Sequence, residues 1–282
     1  MSRRSSIRYI TTITLSFFLS LFLLALISGV ILLRTVVNPW YIVRQIERSG
    51  FSENAELELR EIFISYGHAS GVSSDVMASL ITTTHVADAA EAGVMESFDV
   101  SAGFNFSNYS NEVFIVLYDY ALAQGIEVTN ETREGIGSLA DLCADALRNY
   151  VNSPIFDILA QARHYSRHLF IAIAATLFLS LIVIALIPYV NRRVTRWIDG
   201  YLYALGTVTL ICIIIPVAVY STGITSRLQI TPLSYNRFIS AWIEGILNGY
   251  LVALIPLVVL IGVCVTIRVI RWKKRRVIYQ NR

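Results

Sequence analysis

The chain is poor in charge. Of its 282 residues only 15% are Asp, Glu, Lys or Arg, where a soluble domain carries about 25%. That shortfall, beside 55% hydrophobic residues, favours a membrane class. Cysteine is also scarce. Cys143, Cys212 and Cys264 lie far apart and form no CxxC pair, so zinc-ribbon and thioredoxin-type sites are excluded. A disulfide framework is excluded too, because only Cys143 falls outside the apolar stretches. Leu139 and Leu147 flank Cys143 at helical spacing, which reads as a buried helix-face residue. The chain has no Walker loop, no dinucleotide fingerprint and no internal repeat. No Ser-His-Asp or Cys-His set can be assembled, and no cofactor is expected.

Long apolar runs are what the sequence has instead. A bilayer core about 30 Å thick needs about 20 apolar helical residues. Four stretches qualify, at 10–33, 169–187, 201–220 and 246–267, and none carries a charge in its interior. The second ends at Pro188. The first follows Arg3, Arg4 and Arg8 as a signal peptide would, but a signal core runs about 7–15 residues. Its length predicts a retained anchor.

Charge is divided unevenly among the remaining segments. The segments 1–9, 188–200 and 268–282 hold thirteen basic residues and one acid, Asp199. The segments 34–168 and 221–245 hold ten basic residues and nineteen acids. Basic loops stay in the cytoplasm. The expected topology is therefore four spans with both termini cytoplasmic, in the plasma membrane, and a domain at 34–168 on the outer side. The bilayer is the first expected partner, with anionic lipid at the cytoplasmic face. Nucleic acid is not, because the outer domain is acidic.

The outer segment has helical periodicity. Pro39 follows the first membrane helix, and Trp40, Val43 and Ile46 continue an apolar stripe to Gly50. Ser52 is read as the cap of a helix carrying Leu59, Ile62, Phe63 and Tyr66, with Gly67 and Gly71 after it. Ser74 is read as the cap of the next, with Val76, Leu80, Thr83 and Val86. Residues 98–108 read as a loop. Val113, Leu117 and Tyr120 line a helix that stops at Gly125, although Val113-Phe114-Ile115-Val116-Leu117 could also be a buried strand. Asn130 opens a helix through Ile136, Leu139, Cys143, Leu147 and Tyr150, broken at Asn152-Ser153-Pro154. A last helix is expected to start at Pro154. The fold class is thus all-α: a four-helix transmembrane bundle with a helical extracytoplasmic domain inserted between the first and second spans.

Several residues are candidates for chemistry. His164 and His168 are four apart on one expected helix, a spacing that puts both imidazoles on one face for a metal. The metalloprotease pattern also needs Glu after the first His, and Tyr165 stands there; two amphipathic residues at headgroup level is the plainer reading. Glu244 and Asn248 enter the fourth span, where polar groups are costly, and Arg237 is a possible partner for Glu244. The segment 232–244, with Tyr235, Phe238 and Trp242, reads as an interfacial amphipathic segment or an extension of the fourth helix. Gly245, Gly249 and Ala253 form a small-residue row that lets helices approach closely, more readily within the bundle than between copies. Arg271, Lys273, Lys274, Arg275 and Arg276 form a basic cluster that attracts anionic headgroups at about 1 kcal/mol per charge. Asn105, Asn108 and Asn130 begin glycosylation triplets.

The layout of one span, a large outer domain and three further spans resembles FtsX/MacB-type ABC permeases. That resemblance implies a separate cytoplasmic ATPase and a moving outer domain. Two features depart from it: the stretch after the second span is short, and the outer domain reads as helical where those permeases have strands. Asn38-Pro39-Trp40-Tyr41-Ile42-Val43 before a helical domain is similar to four-span membrane proteins of Gram-positive bacteria that have no assigned activity. The leading expectation is a non-enzymatic surface protein whose outer domain binds a partner, such as a membrane or surface protein, or a ligand, with the bundle anchoring it or relaying its state. A permease-like subunit of an ATP-driven complex is the alternative. A membrane enzyme built on His164, His168 and Glu244 ranks third.

Overall fold

A computed structural model describes residues 3–100, 103–152, 161, 163–191, 194–223, 227 and 230–280. Among the described residues the chain is all-α, with no strand. It divides into two compact units. One comprises Met1–Thr35, Tyr165–Arg227 and Ile243–Arg282, and the other Val36–His164 and Leu228–Trp242.

The first unit holds four helices long and apolar enough to cross a membrane. They are α1 (Arg3–Thr35), α8 (Ser166–Val190), α9 (Val194–Thr222) and α10 (Leu233–Gln280). All four outrun their apolar cores, because backbone hydrogen bonding continues the helix beyond the hydrocarbon length. Pro188, expected to end the second span, lies inside α8, which closes at Asn191. α1 touches the other three. Its Leu19 meets Val183 and Ile187 of α8 and Ala204 of α9. Its Leu23, Leu24 and Ile27 meet Leu205, Val208 and Cys212 of α9 and Leu257 of α10. Small residues set the closest approaches: a Cβ on Gly29 would stand 2.7 Å from Ile173 of α8, and one on Gly249 3.2 Å from Ile31 of α1. At the other end of this bundle Asn191 is buried. Its amide donates to Thr12 Oγ1 at 2.6 Å, a side-chain bond between α8 and α1 of the kind that ties helices together in lipid.

The second unit is built from α2 (Pro39–Ser49), α3 (Phe51–Ser70), α4 (Ser74–Ser79), α5 (Thr83–Ser97), α6 (Phe106–Ala123) and α7 (Asn130–Val151), with the start of α10. Its core is a single cluster that includes Ile42, Phe51, Leu59, Phe63, Met77, Val86, Met95, Val113, Leu117, Cys143 and Leu147. Pro39 at the first turn and Gly50 in the left-handed region delimit α2. Its inner face is Ile42, Val43, Gln45 and Ile46, while Trp40 is exposed. Ser52 does not cap α3. That helix starts one residue earlier, at Phe51, and Ser52 is buried inside it. Gly67 lies within α3, where a Cβ would meet Met77 Cγ at 2.4 Å; the glycine is there for the close passage of Met77, and Gly71 ends the helix at φ 75°. The segment expected as one helix after Ser74 is two. α4 stops at Ser79, and Thr82 caps α5 by accepting from the His85 amide at 3.3 Å. Asn105 caps α6, accepting from the Ser107 and Asn108 amides. The strand alternative for 113–117 is replaced by helix, with Val113 and Leu117 buried and Ile115 and Val116 exposed. Asn130 opens α7 as expected, and Thr129 caps it. The helix expected from Pro154 falls outside the described residues.

Candidate functional site

The densest polar cluster in the helical unit joins three segments distant in sequence. Glu58 lies between the buried Ala55 and Leu59, at the edge of the buried face of α3. Its Oε1 accepts from the backbone N–H of Leu233 at 2.8 Å and of Ser234 at 3.4 Å. These are first-turn amides of α10, which have no partner within their own helix. Oε2 accepts from Ser234 Oγ at 2.9 Å and from the Tyr150 hydroxyl of α7. Tyr150 Oη and Ser234 Oγ are 2.5 Å apart, and the Tyr235 hydroxyl donates to the Tyr150 carbonyl. Glu58 is thus the N-cap of a helix that begins 175 residues later, and its charge complements that helix's positive end.

Aromatic rings enclose the cluster. Phe51 meets Tyr235 edge-on at 5.1 Å and Phe238 at 6.4 Å, and Tyr150 lies 5.8 Å from Tyr235. Ser234 and Phe238 are fully buried and Tyr235 nearly so. Burial first, and then the hydrogen bond to Glu58, raise the Tyr150 hydroxyl above its ordinary value near 10, so it stays a neutral donor. The donors and acceptors here satisfy one another. The arrangement fastens segments together and presents no free nucleophile.

Two smaller clusters have the same character. Glu56 accepts from Thr83 and pairs with Arg60 at 2.5 Å, tying α3 to α5. The Tyr109 hydroxyl donates to the Leu80 carbonyl at 3.1 Å, with the His85 ring 5.1 Å away. Cys143 is buried as expected, and burial pushes its thiol up to about 12, which leaves it protonated and unreactive.

No known protein family, curated protein or solved structure matches the chain.

The residues singled out from sequence are placed as follows. His164 precedes the turn at Tyr165, and His168 lies in the first turn of α8. Both are exposed, and they do not share the single helix expected of them. No group of three or more His, Cys, Asp or Glu side chains able to hold a metal is found among the described residues. Glu244 and Asn248 are exposed on α10 within the membrane-type unit, while Arg237 is exposed on the part of α10 that belongs to the helical unit. Gly249 is the member of the small-residue row in contact with α1; Gly245 and Ala253 are half-buried. Arg271 and Lys273 are exposed, and Lys274, Arg275 and Arg276 continue the same helix to Gln280. Asp199, the one acid among the basic segments, pairs with Arg268 at 3.2 Å.

Sequence reasoning did not find the Glu58 cluster. The available signal was the spacing of Tyr235, Phe238 and Trp242, which marks an amphipathic face without naming what it packs against. That face packs into the core of the helical unit. The extension of the fourth helix is therefore realised, and its apolar side meets protein.

Proposed function

We propose that the chain is a non-enzymatic, multi-pass plasma-membrane protein with both termini in the cytoplasm, whose outer helical domain binds a membrane or surface protein. The binding state would be passed on through α10. The observation that carries this reading is the composition of α10. Residues 233–242 belong to the helical unit, with Tyr235 and Phe238 in its core, and from Ile243 the same helix belongs to the membrane-type unit. A change in packing around Ser234 and Phe238 acts directly on the helix that contains the fourth span. The partition of charge between the two sets of segments supports the orientation. The surface assigned to the partner is on α6, where Ile115 and Leu122 lie one above the other opposite its buried face and are 58% and 52% exposed.

The test is purification of the full chain from native membranes in mild detergent, with mass spectrometry of what co-purifies. The proposal expects a stoichiometric membrane or surface protein that is lost in Ile115→Ser/Leu122→Ser. A stoichiometric cytoplasmic ATPase, retained in that variant, would replace it with the permease-like reading.

A further inference from the structure

A cavity of about 360 Å³ opens on the side of the membrane-type unit, between α1 and α9. Its floor is Ser16 and Ser20, both buried. Each spends its hydroxyl on its own helix, Ser16 on the Thr12 carbonyl and Ser20 on the Phe17 carbonyl, so the floor is small and locally satisfied. The walls are Ile13 and Phe17 of α1 and Thr207 of α9, with Tyr9 and Tyr203 toward one end. Tyr9 and Tyr203 are 59% and 60% exposed.

α1 and α9 run in the same direction. Gly200 packs against Thr12 and Ser16, Ala204 against Leu19, and Val208 and Cys212 join Leu23, Leu24 and Ile27. Both helices therefore bring their N-terminal, basic ends to one face of the bundle. Arg196 lies seven residues before Tyr203 and eleven before Thr207, which at 3.6 residues per turn is the same side of α9, about 10 Å nearer that end than Tyr203. Arg8 adjoins Tyr9. Both arginines are exposed. The groove from Tyr9 to Ser20 covers twelve residues, about 16 Å of helix from first to last. That is about half of the 30 Å hydrocarbon core, the depth of a single leaflet.

We propose that this groove is a binding site for one anionic phospholipid. An acyl chain lies along Ile13, Phe17 and Thr207 over the serine floor, the Tyr9 and Tyr203 hydroxyls donate to the glycerol-ester or phosphate oxygens, and Arg196 with Arg8 neutralises the headgroup. Basic pockets between membrane helices at one leaflet have this chemistry. Another cavity of the unit, beside Trp272, is a poorer anion site because its Arg268 is already paired with Asp199. The proposal needs the four helices to span a bilayer, but it does not depend on the outer domain having a partner.

The test is native mass spectrometry of the full chain released from mixed micelles containing equal amounts of phosphatidylglycerol and phosphatidylcholine. One phosphatidylglycerol per chain should persist after other lipids are stripped. Arg196→Gln should lower that retention about fivefold, the effect of one headgroup charge. Thr207→Phe, which fills the groove from an exposed position, should abolish it. Tyr9→Phe/Tyr203→Phe changes no volume and should weaken it, and this variant decides the matter if either of the others fails to fold by circular dichroism and size-exclusion chromatography. Equal retention of the two lipids would overturn the proposal. So would retention unchanged in the groove variants and lost in Arg271→Gln/Lys273→Gln, which would place the lipid on the basic tail.

Discussion

Removing the Glu58 carboxylate should open the start of α10 while leaving the rest of the helical unit folded. In Glu58→Ala the Leu233 and Ser234 amides lose their acceptor, and the Tyr150 and Ser234 hydroxyls keep only each other. Loss of an N-cap costs about 1 kcal/mol, and loss of a hydrogen bond to a charged group about 1.5–3 kcal/mol. Because the bonds share one acceptor they do not add fully, and about 3 kcal/mol is expected for the cluster. Glu58→Gln keeps one oxygen and should cost about half as much. At about 1.4 kcal/mol per decade, Glu58→Ala should speed amide hydrogen exchange in peptides covering 233–240 by about two decades. The measurement is hydrogen-exchange mass spectrometry on the full chain in detergent. Peptides from α1 serve as the internal control, and Tyr150→Phe, alone and combined, tests the coupling. Exchange in 233–240 that stays within threefold of wild type in Glu58→Ala would refute the reasoning, since the α10 start would then be held by its aromatic packing alone.

The raised Tyr150 and Tyr109 hydroxyls make stability fall at high pH. Their folded-state values lie above the ordinary 10, so their contribution is complete below about pH 10 and declines as pH rises further, where the unfolded chain releases protons that the folded one keeps. Thermal unfolding of the full chain between pH 9 and 11.5 should show the decline, and Tyr150→Phe should flatten it; parallel curves would remove Tyr150 from the account. Gly67→Ala should destabilise the helical unit by about 1–3 kcal/mol through overpacking, because its Cβ collides with Met77 Cγ. The double variant Gly67→Ala/Met77→Ala should relieve the collision, and a strictly additive loss would show that Met77 moves aside without cost.

The part of the architecture that was legible in the sequence is local. Four apolar stretches announce four long helices because lipid demands one length and one kind of side chain. Gly50 and Gly71 are readable as helix ends because the left-handed backbone they adopt favours glycine. Errors at other boundaries come from competing local chemistry. Ser73 and Ser74 both suit a helix start, and a Thr run at 82–84 conceals the cap that splits α4 from α5. The Glu58 cluster was illegible for a different reason. Its partners are 92 and 176 positions away, and nothing in an isolated Glu at the margin of an amphipathic helix says that it will cap another helix. Tyr235 and Phe238 carry the right periodicity for an interfacial segment and for an extension of the fourth helix alike, since the sequence pattern of a face packed on lipid and one packed on protein is the same.

The same cluster sets an order of synthesis. Ser234 emerges from the ribosome 84 residues after Tyr150. At about 5–20 residues per second, the core of α2–α7 waits roughly 4–17 s with the Phe51 surface open. Two further apolar helices, α8 and α9, are made in that interval. The domain's fold is therefore completed late, and a nascent chain halted before residue 233 carries an unfilled apolar socket that a chaperone or a quality-control protease would recognise.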